Sequence, residues 1–161
     1  MMRPGVRLAL DWGRARIGVA ASDRDGLLAF PVETIAAGPD AVARVQALVA
    51  EYEPLEVLLG LPRNLAGQEG PAAVAMRGVA AELVTALPQV TLRLVDERMT
   101  TVTASRQLTS AGRDAKKQRR VIDQAAAVAL LETALQAERN TGLPVGEEFP
   151  GGETPGRTGP E

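Results

Sequence analysis

The 161-residue chain has no cysteine and no histidine, four aromatic residues, and only two lysines, Lys116 and Lys117, among its 18 cationic side chains. Without cysteine there is no disulfide and no thiol nucleophile. Without histidine there is no imidazole for proton transfer, and without either the usual zinc sites cannot be built. Any metal must be held by oxygen, which points to Mg²⁺ or Mn²⁺. An aromatic content of 2% argues against base stacking as the main binding mode. The net charge of −2 excludes a general basic coat, so any nucleic-acid surface must be a local patch. No apolar run approaches the roughly 20 residues of a membrane span. The N-terminus, Met1 to Gly5, runs into a strand without the pattern of a leader. A soluble, cytoplasmic protein is expected.

What is present is a 45% hydrophobic chain whose periodicity changes along its length. Residues 6–11 and 16–22 read as an antiparallel strand pair around the turn Trp12-Gly13-Arg14-Ala15-Arg16. Leu27 to Ile35 follows as a third strand, interrupted or edged by Pro31. A helix opens at Pro39-Asp40, carries Val42, Val45, Leu48, Val49 and Tyr52 at helical spacing, and stops at Pro54. Leu55 to Gly60 is a short strand, 64–70 a polar loop, 71–86 a helix, and Val90 to Val95 an alternating strand. Thr100 or Thr101 is placed to cap a helix over about 102–111, ending at Gly112. The basic segment Arg113 to Arg120 leads to a helix over about 121–138 that is apolar nearly all round. Residues 139–161 are Gly-, Pro- and Glu-rich and read as a disordered tail. The expected domain is therefore 1–138: an α/β fold with a mixed sheet and helices on its faces.

Three acids stand on hydrophobic elements: Asp11 in the first strand, Glu97 just after the last, and Asp123 at the start of the final helix. A carboxylate in an apolar setting is costly unless a cation sits on it. Ligand sites in such sheets lie beyond the carboxyl ends of the strands, where Asp11 and Glu97 fall. Together they suggest an acidic pocket for divalent metal, of the kind in which two ions about 3.5–4 Å apart flank a scissile phosphate. Each acid also has a plainer reading: Asp11 as a turn residue, Glu97 as a surface partner of Arg98 or Arg93, Asp123 as a helix N-cap. Arg14 and Arg16, beside Asp11, either neutralise it or clamp a phosphate. The cluster Arg113, Lys116, Lys117, Arg119 and Arg120 is either a solvated charge run or a mobile loop gripping a nucleic-acid backbone. Arg98, next to Glu97, joins these cations as a candidate contact.

The motifs resemble those of the YqgF/RuvX family of RuvC-like, RNase H-fold nucleases. They are Leu10-Asp11-Trp12-Gly13 with Arg16-Ile17-Gly18-Val19-Ala20, then Leu59-Gly60-Leu61-Pro62 with Gly67, then Asp96-Glu97-Arg98 followed by Thr100, Thr101 and Ala104, and finally Ile122-Asp123 with Ala125-Ala126. They occur in order across about residues 6–137. The resemblance implies an RNase H-like five-stranded sheet of order 3-2-1-4-5 and a Mg²⁺- or Mn²⁺-dependent endonuclease. Its implied catalytic and metal-binding acids are Asp11, Glu97 and Asp123. Its implied substrates are the 5′ end of pre-16S rRNA or branched DNA at a Holliday junction, the latter favoured by a two-fold homodimer. In that strand order Asp11 and Glu97 are two strands apart, roughly 9–10 Å, so their side chains would have to converge over Gly60. The competing readings are a non-catalytic nucleic-acid-binding adaptor on the same fold and a fragment of an actin-like kinase or ATPase, for which the chain is short.

Overall fold

A computed structural model of the protein describes residues 2–64, 66–99 and 115–150, apart from the side chains of Met99 and residues 115–123. The sheet is built from β1 (Arg7–Trp12), β2 (Arg16–Ser22), β3 (Ala29–Ala36), β4 (Glu56–Leu61), β5 (Thr91–Asp96) and β6 (Glu147–Phe149), in the order β3-β2-β1-β4-β5-β6. The expected order of five strands is present, and a sixth extends it. β1 and β2 form an antiparallel hairpin in which Asp11 pairs with Gly18. β1, β4 and β5 are parallel neighbours, as the intervening helical crossovers require. β3 is the outer strand, so Pro31 removes no bond from an interior ladder, and the register shift between Val19 and Ala20 absorbs it.

Strand alternation sends side chains to two cores. Leu8, Leu10, Val57, Leu59, Leu61, Leu92 and Leu94 face α1 (Ala41–Tyr52) and α2 (Pro71–Ala86). Ala9, Ala20, Leu58 and Val95 face α3 (Ala115–Thr141), which meets them with Ala127, Leu130, Leu131, Ala134 and Leu135. Each fully buried Leu or Val contributes roughly 1.5–3 kcal/mol. The alanines on both surfaces let α3 lie close to the sheet. β4, covered on both faces and flanked on both edges, is buried at all six residues.

α3 begins earlier than the expected 121. Residues 115–120 are helical in backbone, which corrects the reading of Lys116, Lys117, Arg119 and Arg120 as a mobile loop. Polar as they are, Ala, Lys, Gln and Arg are all strong helix formers. Asp123 is consequently inside the helix and is not its N-cap. The helix ends at Gly142, whose φ of 75° and bond from N to the Glu138 carbonyl, 2.7 Å, make a left-handed stop. Arg113 and the expected helix over 102–111 lie outside the described residues.

The ordered fold also continues past 138, against the expected disorder for residues 139–150; residues 151–161 of the expected tail lie outside the described residues. β6 pairs with β5 through Leu92–Phe149, Arg93–Glu148 and Leu94–Glu147. Phe149 joins the α1/α2 core. The acidic composition that suggested disorder is answered by arginines. Arg77 bonds Glu147 at 3.2 and 3.3 Å, and Arg93 bonds the carbonyls of Val145 and Gly146, both at 2.9 Å. Gly146, at φ 80°, lies against the Leu94 carbonyl, where a side chain would collide.

A buried ionic clasp fixes the far end of α3. Arg3 bonds Glu138 at 2.9 Å and Glu56 at 3.0 Å, and Arg7 bonds both oxygens of Glu138 at 3.1 Å. Arg7 and Glu138 are 1% and 2% exposed. Burial alone would push the Glu138 carboxyl up. Hydrogen bonds from Arg3 and the nearby charges of Arg7 and Arg3 outweigh it and bring the pKa down to about 2. Among the described residues no helix is long and apolar enough to cross a membrane.

Candidate active site

A cleft of about 710 Å³ opens at the carboxyl ends of β1 and β4, with Asp11, Trp12, Arg14, Pro62, Met76 and Glu97 on its walls. Asp11 is a strand residue, which removes its reading as a turn residue. By alternation it lies on the side of Ala9, the α3 side of the sheet. Gly60, one residue past the Leu59 that pairs with Leu10, lies on the same side as Leu58.

Glu97 reaches this place by a sharp turn. The Asp96 carboxylate accepts a bond from the Arg98 backbone N–H at 2.8 Å, closing the 3₁₀ turn Glu97–Met99 straight after β5. The turn swings Glu97 back over Gly60. A Cβ on Gly60 would lie 2.9 Å from Glu97 Oε2 and 3.0 Å from its Cγ. Gly60 is therefore the gap that Glu97 occupies, and Asp11 is near enough for its charge to act on Glu97. Burial is the main cause that raises the Glu97 pKa above its ordinary value, and the negative charges of Asp11 and Asp96 add to it. Glu97 is not the surface partner of Arg98 or Arg93. Arg98 forks Asp96 at 2.6–3.1 Å, and Arg93 is turned to the β6 approach.

The other expected site residues are less closely gathered. Arg14 is exposed on the cleft wall, and Arg16 is half-buried at the start of β2. The backbones of Lys116, Lys117, Arg119, Arg120 and Asp123 are in α3, and their side chains lie outside the described residues. Among the described residues no three acids group closely enough to hold a metal ion; the described part of the site is the pair Asp11 and Glu97. Sequence reasoning passed over Glu69 and Arg77, which join Arg63, Asp96 and Glu147 in a network beside the cleft. Their only signal was alternating charge around a polar loop.

Residues 5–137 match the family model described as RuvX: Holliday junction resolvase. The chain belongs to the RuvX family. Members of high similarity include proteins named "Putative pre-16S rRNA nuclease" from Streptomyces coelicolor and Cutibacterium acnes. The first is 57% identical over 91% of this chain and 89% of its own length, the second 58% identical over 84% of each. Among solved structures, Thermus thermophilus RuvC in complex with a Holliday junction substrate superposes with a TM-score of 0.53 at 16% identity, covering 84% of this chain and 96% of RuvC. That likeness bears out the RNase H-like fold. As a RuvX member the chain is a nuclease.

At this candidate site, Gly60→Ala is expected to separate stability from activity. The atoms it meets belong to one flexible side chain, so the expected loss of stability is roughly 1 kcal/mol, the low end for overpacking. Displacing Glu97 is expected to lower the cleavage rate by roughly 10- to 100-fold. Thermal melts and single-turnover cleavage, run together, check both.

Proposed function

We propose that the chain is a divalent-metal-dependent endonuclease in which Asp11, Glu97 and Asp123 hold Mg²⁺ or Mn²⁺. The observation that carries this reading is the approach of Glu97 to Asp11 over Gly60. A half-buried carboxylate beside a second one is a poor arrangement by itself and a good one for a hard cation. Carboxylates without imidazole or thiolate fit these ions by donor type. Position 123 is one helical turn before Ala127 and two before Leu130, residues of α3 that meet the sheet, and this spacing supports its inclusion. Bound metal would supply an activated water and balance charge on the scissile phosphate. The chain's own part is to hold the acids on β1, on the turn after β5 and in α3, and to offer Arg14 on the cleft wall to a phosphate oxygen. Arg16, Arg98, Arg113, Lys116, Lys117, Arg119 and Arg120 would extend the contact along the strand.

The names of relatives above 50% identity favour the 5′ end of pre-16S rRNA, met in the cytoplasm, as natural substrate. The family description favours branched DNA, for which paired cuts call for a two-fold dimer. Purified protein is tested on a labelled four-way DNA junction and on an RNA with a precursor-like 5′ extension, with Mg²⁺, with Mn²⁺ and with chelator. Cutting that needs metal and is faster on the RNA is expected. Cutting undiminished by chelator would overturn the metal reading, and faster cutting of the junction by a dimer would overturn the RNA assignment.

A further inference from the structure

Arg63 stands between carboxylates that other arginines already hold. Glu69 receives Arg77 at 2.6 and 2.8 Å, and Asp96 receives Arg98 at 2.6–3.1 Å. Arg63 reaches Glu69 at 3.4 Å, Asp96 at 3.8 Å and Glu147 at 3.9 Å. It donates one long bond, 3.3 Å, to the Gly67 carbonyl, and its Nε is buried without a hydrogen-bond partner. Well-made guanidinium–carboxylate bonds are about 2.7–2.9 Å. The Arg63 charge is therefore loosely matched, although its side chain is 27% exposed.

Its chain neighbour puts it beside the cleft. Pro62 before it lines the wall, as does Glu97, the neighbour of Asp96. Gly67 backs both guanidiniums. Gly67, at φ 82°, lies flat on Arg98, and a Cβ there would come within 3.2 Å of Nη1. Two arginines thus meet on one carboxylate oxygen, Asp96 Oδ2, beside a candidate metal-binding acid. Exposed ion pairs of this kind are weak, and a phosphodiester presents the same pair of anionic oxygens to a guanidinium fork as a carboxylate does.

We propose that Arg63, acting with Arg98, grips a backbone phosphate of the nucleic-acid strand that enters the cleft, and that Asp96 and Glu69 hold the guanidiniums ready until that phosphate arrives. The choice of nucleic acid as ligand rests on the nuclease reading. The contact is to the backbone, so it serves RNA and DNA alike.

The test is binding by fluorescence anisotropy in chelator, so that no strand is cut, with the labelled DNA junction and the RNA as probes at salt from 50 to 200 mM. Arg63→Gln is expected to weaken binding to both by roughly fivefold and to lower the slope of log affinity against log salt by about one. Arg63→Lys, which keeps the charge, is expected to keep the slope. Asp96→Asn keeps an acceptor for the Arg98 N–H and is expected to tighten binding roughly two- to fivefold. An unchanged slope in Arg63→Gln, equal losses in the Gln and Lys variants, or weaker binding by Asp96→Asn would overturn the proposal. If the wild type cuts and Arg63→Gln binds as it does, only the grip is wrong. If binding depends on Arg63 and the wild type never cuts, the grip stands and the nuclease reading falls.

Discussion

Asp11→Asn is expected to lower metal-dependent cleavage by at least the order of 10³-fold while leaving the melting temperature unchanged or higher. On the proposed metal-dependent reading, the size of the kinetic loss follows from removing a carboxylate that would hold the ion, whose part would be to supply an activated water and balance charge on the phosphate. The gain in stability follows from charge. With metal absent and at neutral pH, Glu97 pays for burial and for the neighbouring negative charges of Asp11 and Asp96. Asparagine keeps the shape of the side chain and removes one of those charges, so Glu97 returns toward its ordinary pKa. A group whose pKa is raised on folding destabilises the native state once pH exceeds its unfolded value, so the advantage of the variant should appear above about pH 4.5, the ordinary value for Glu. Added Mg²⁺ should stabilise the wild type more than the variant. A variant that cuts at the wild-type rate would remove Asp11 from the site. A variant that melts well below the wild type would show that Asp11 supports the fold.

The second large effect concerns the clasp between Arg3, Arg7, Glu56 and Glu138. Glu138→Ala is expected to cost about 3–5 kcal/mol, because it leaves the Arg7 guanidinium buried with its main partner gone. For a chain of this size that is a fall of roughly 10 °C or more in Tm. The same clasp gives acid sensitivity. The folded pKa of Glu138, about 2, is below its unfolded value. Its contribution is thus complete above pH 4.5 and is lost as pH falls from there through 2. Urea melts of wild type and Glu138→Gln should show a gap that is wide at pH 6 and closes over that acid range. A gap independent of pH would mean that packing, and not ionisation, is what Glu138 supplies.

Much of this molecule was legible in its sequence. Period-two and helical spacing placed β1 to β5, α1 and α2, because each has a clear apolar face. The approach of Glu97 toward Asp11 at Gly60 followed from the strand order that the family resemblance implied and from the absence of a side chain at residue 60. What escaped notice was held together by charge. β6 has a single aromatic, Phe149, and three neighbouring acids or glycines, so nothing in its own composition argues for a strand; its partners are Arg77 and Arg93, far away in sequence. Arg7 stands in an apolar strand, and its reason is Glu138, 131 residues later, which no local pattern can display. The start of α3 was hidden because its first turns carry lysine and arginine and lack an apolar stripe, though their helix propensity is high.

The burial of β4 bears on how the site ages. Amides in a strand covered on both faces and paired on both edges exchange with solvent only through the largest opening motions of a domain. Asp11 stands on β1 and Glu97 on the turn directly after β5, and β1 and β5 are the two strands that pair with β4. Small fluctuations of loops or of the outer strands therefore leave the distance between the two acids intact. Heat inactivation should then follow the same curve as loss of the whole tertiary structure, with no earlier phase in which a folded protein has lost its geometry for cutting.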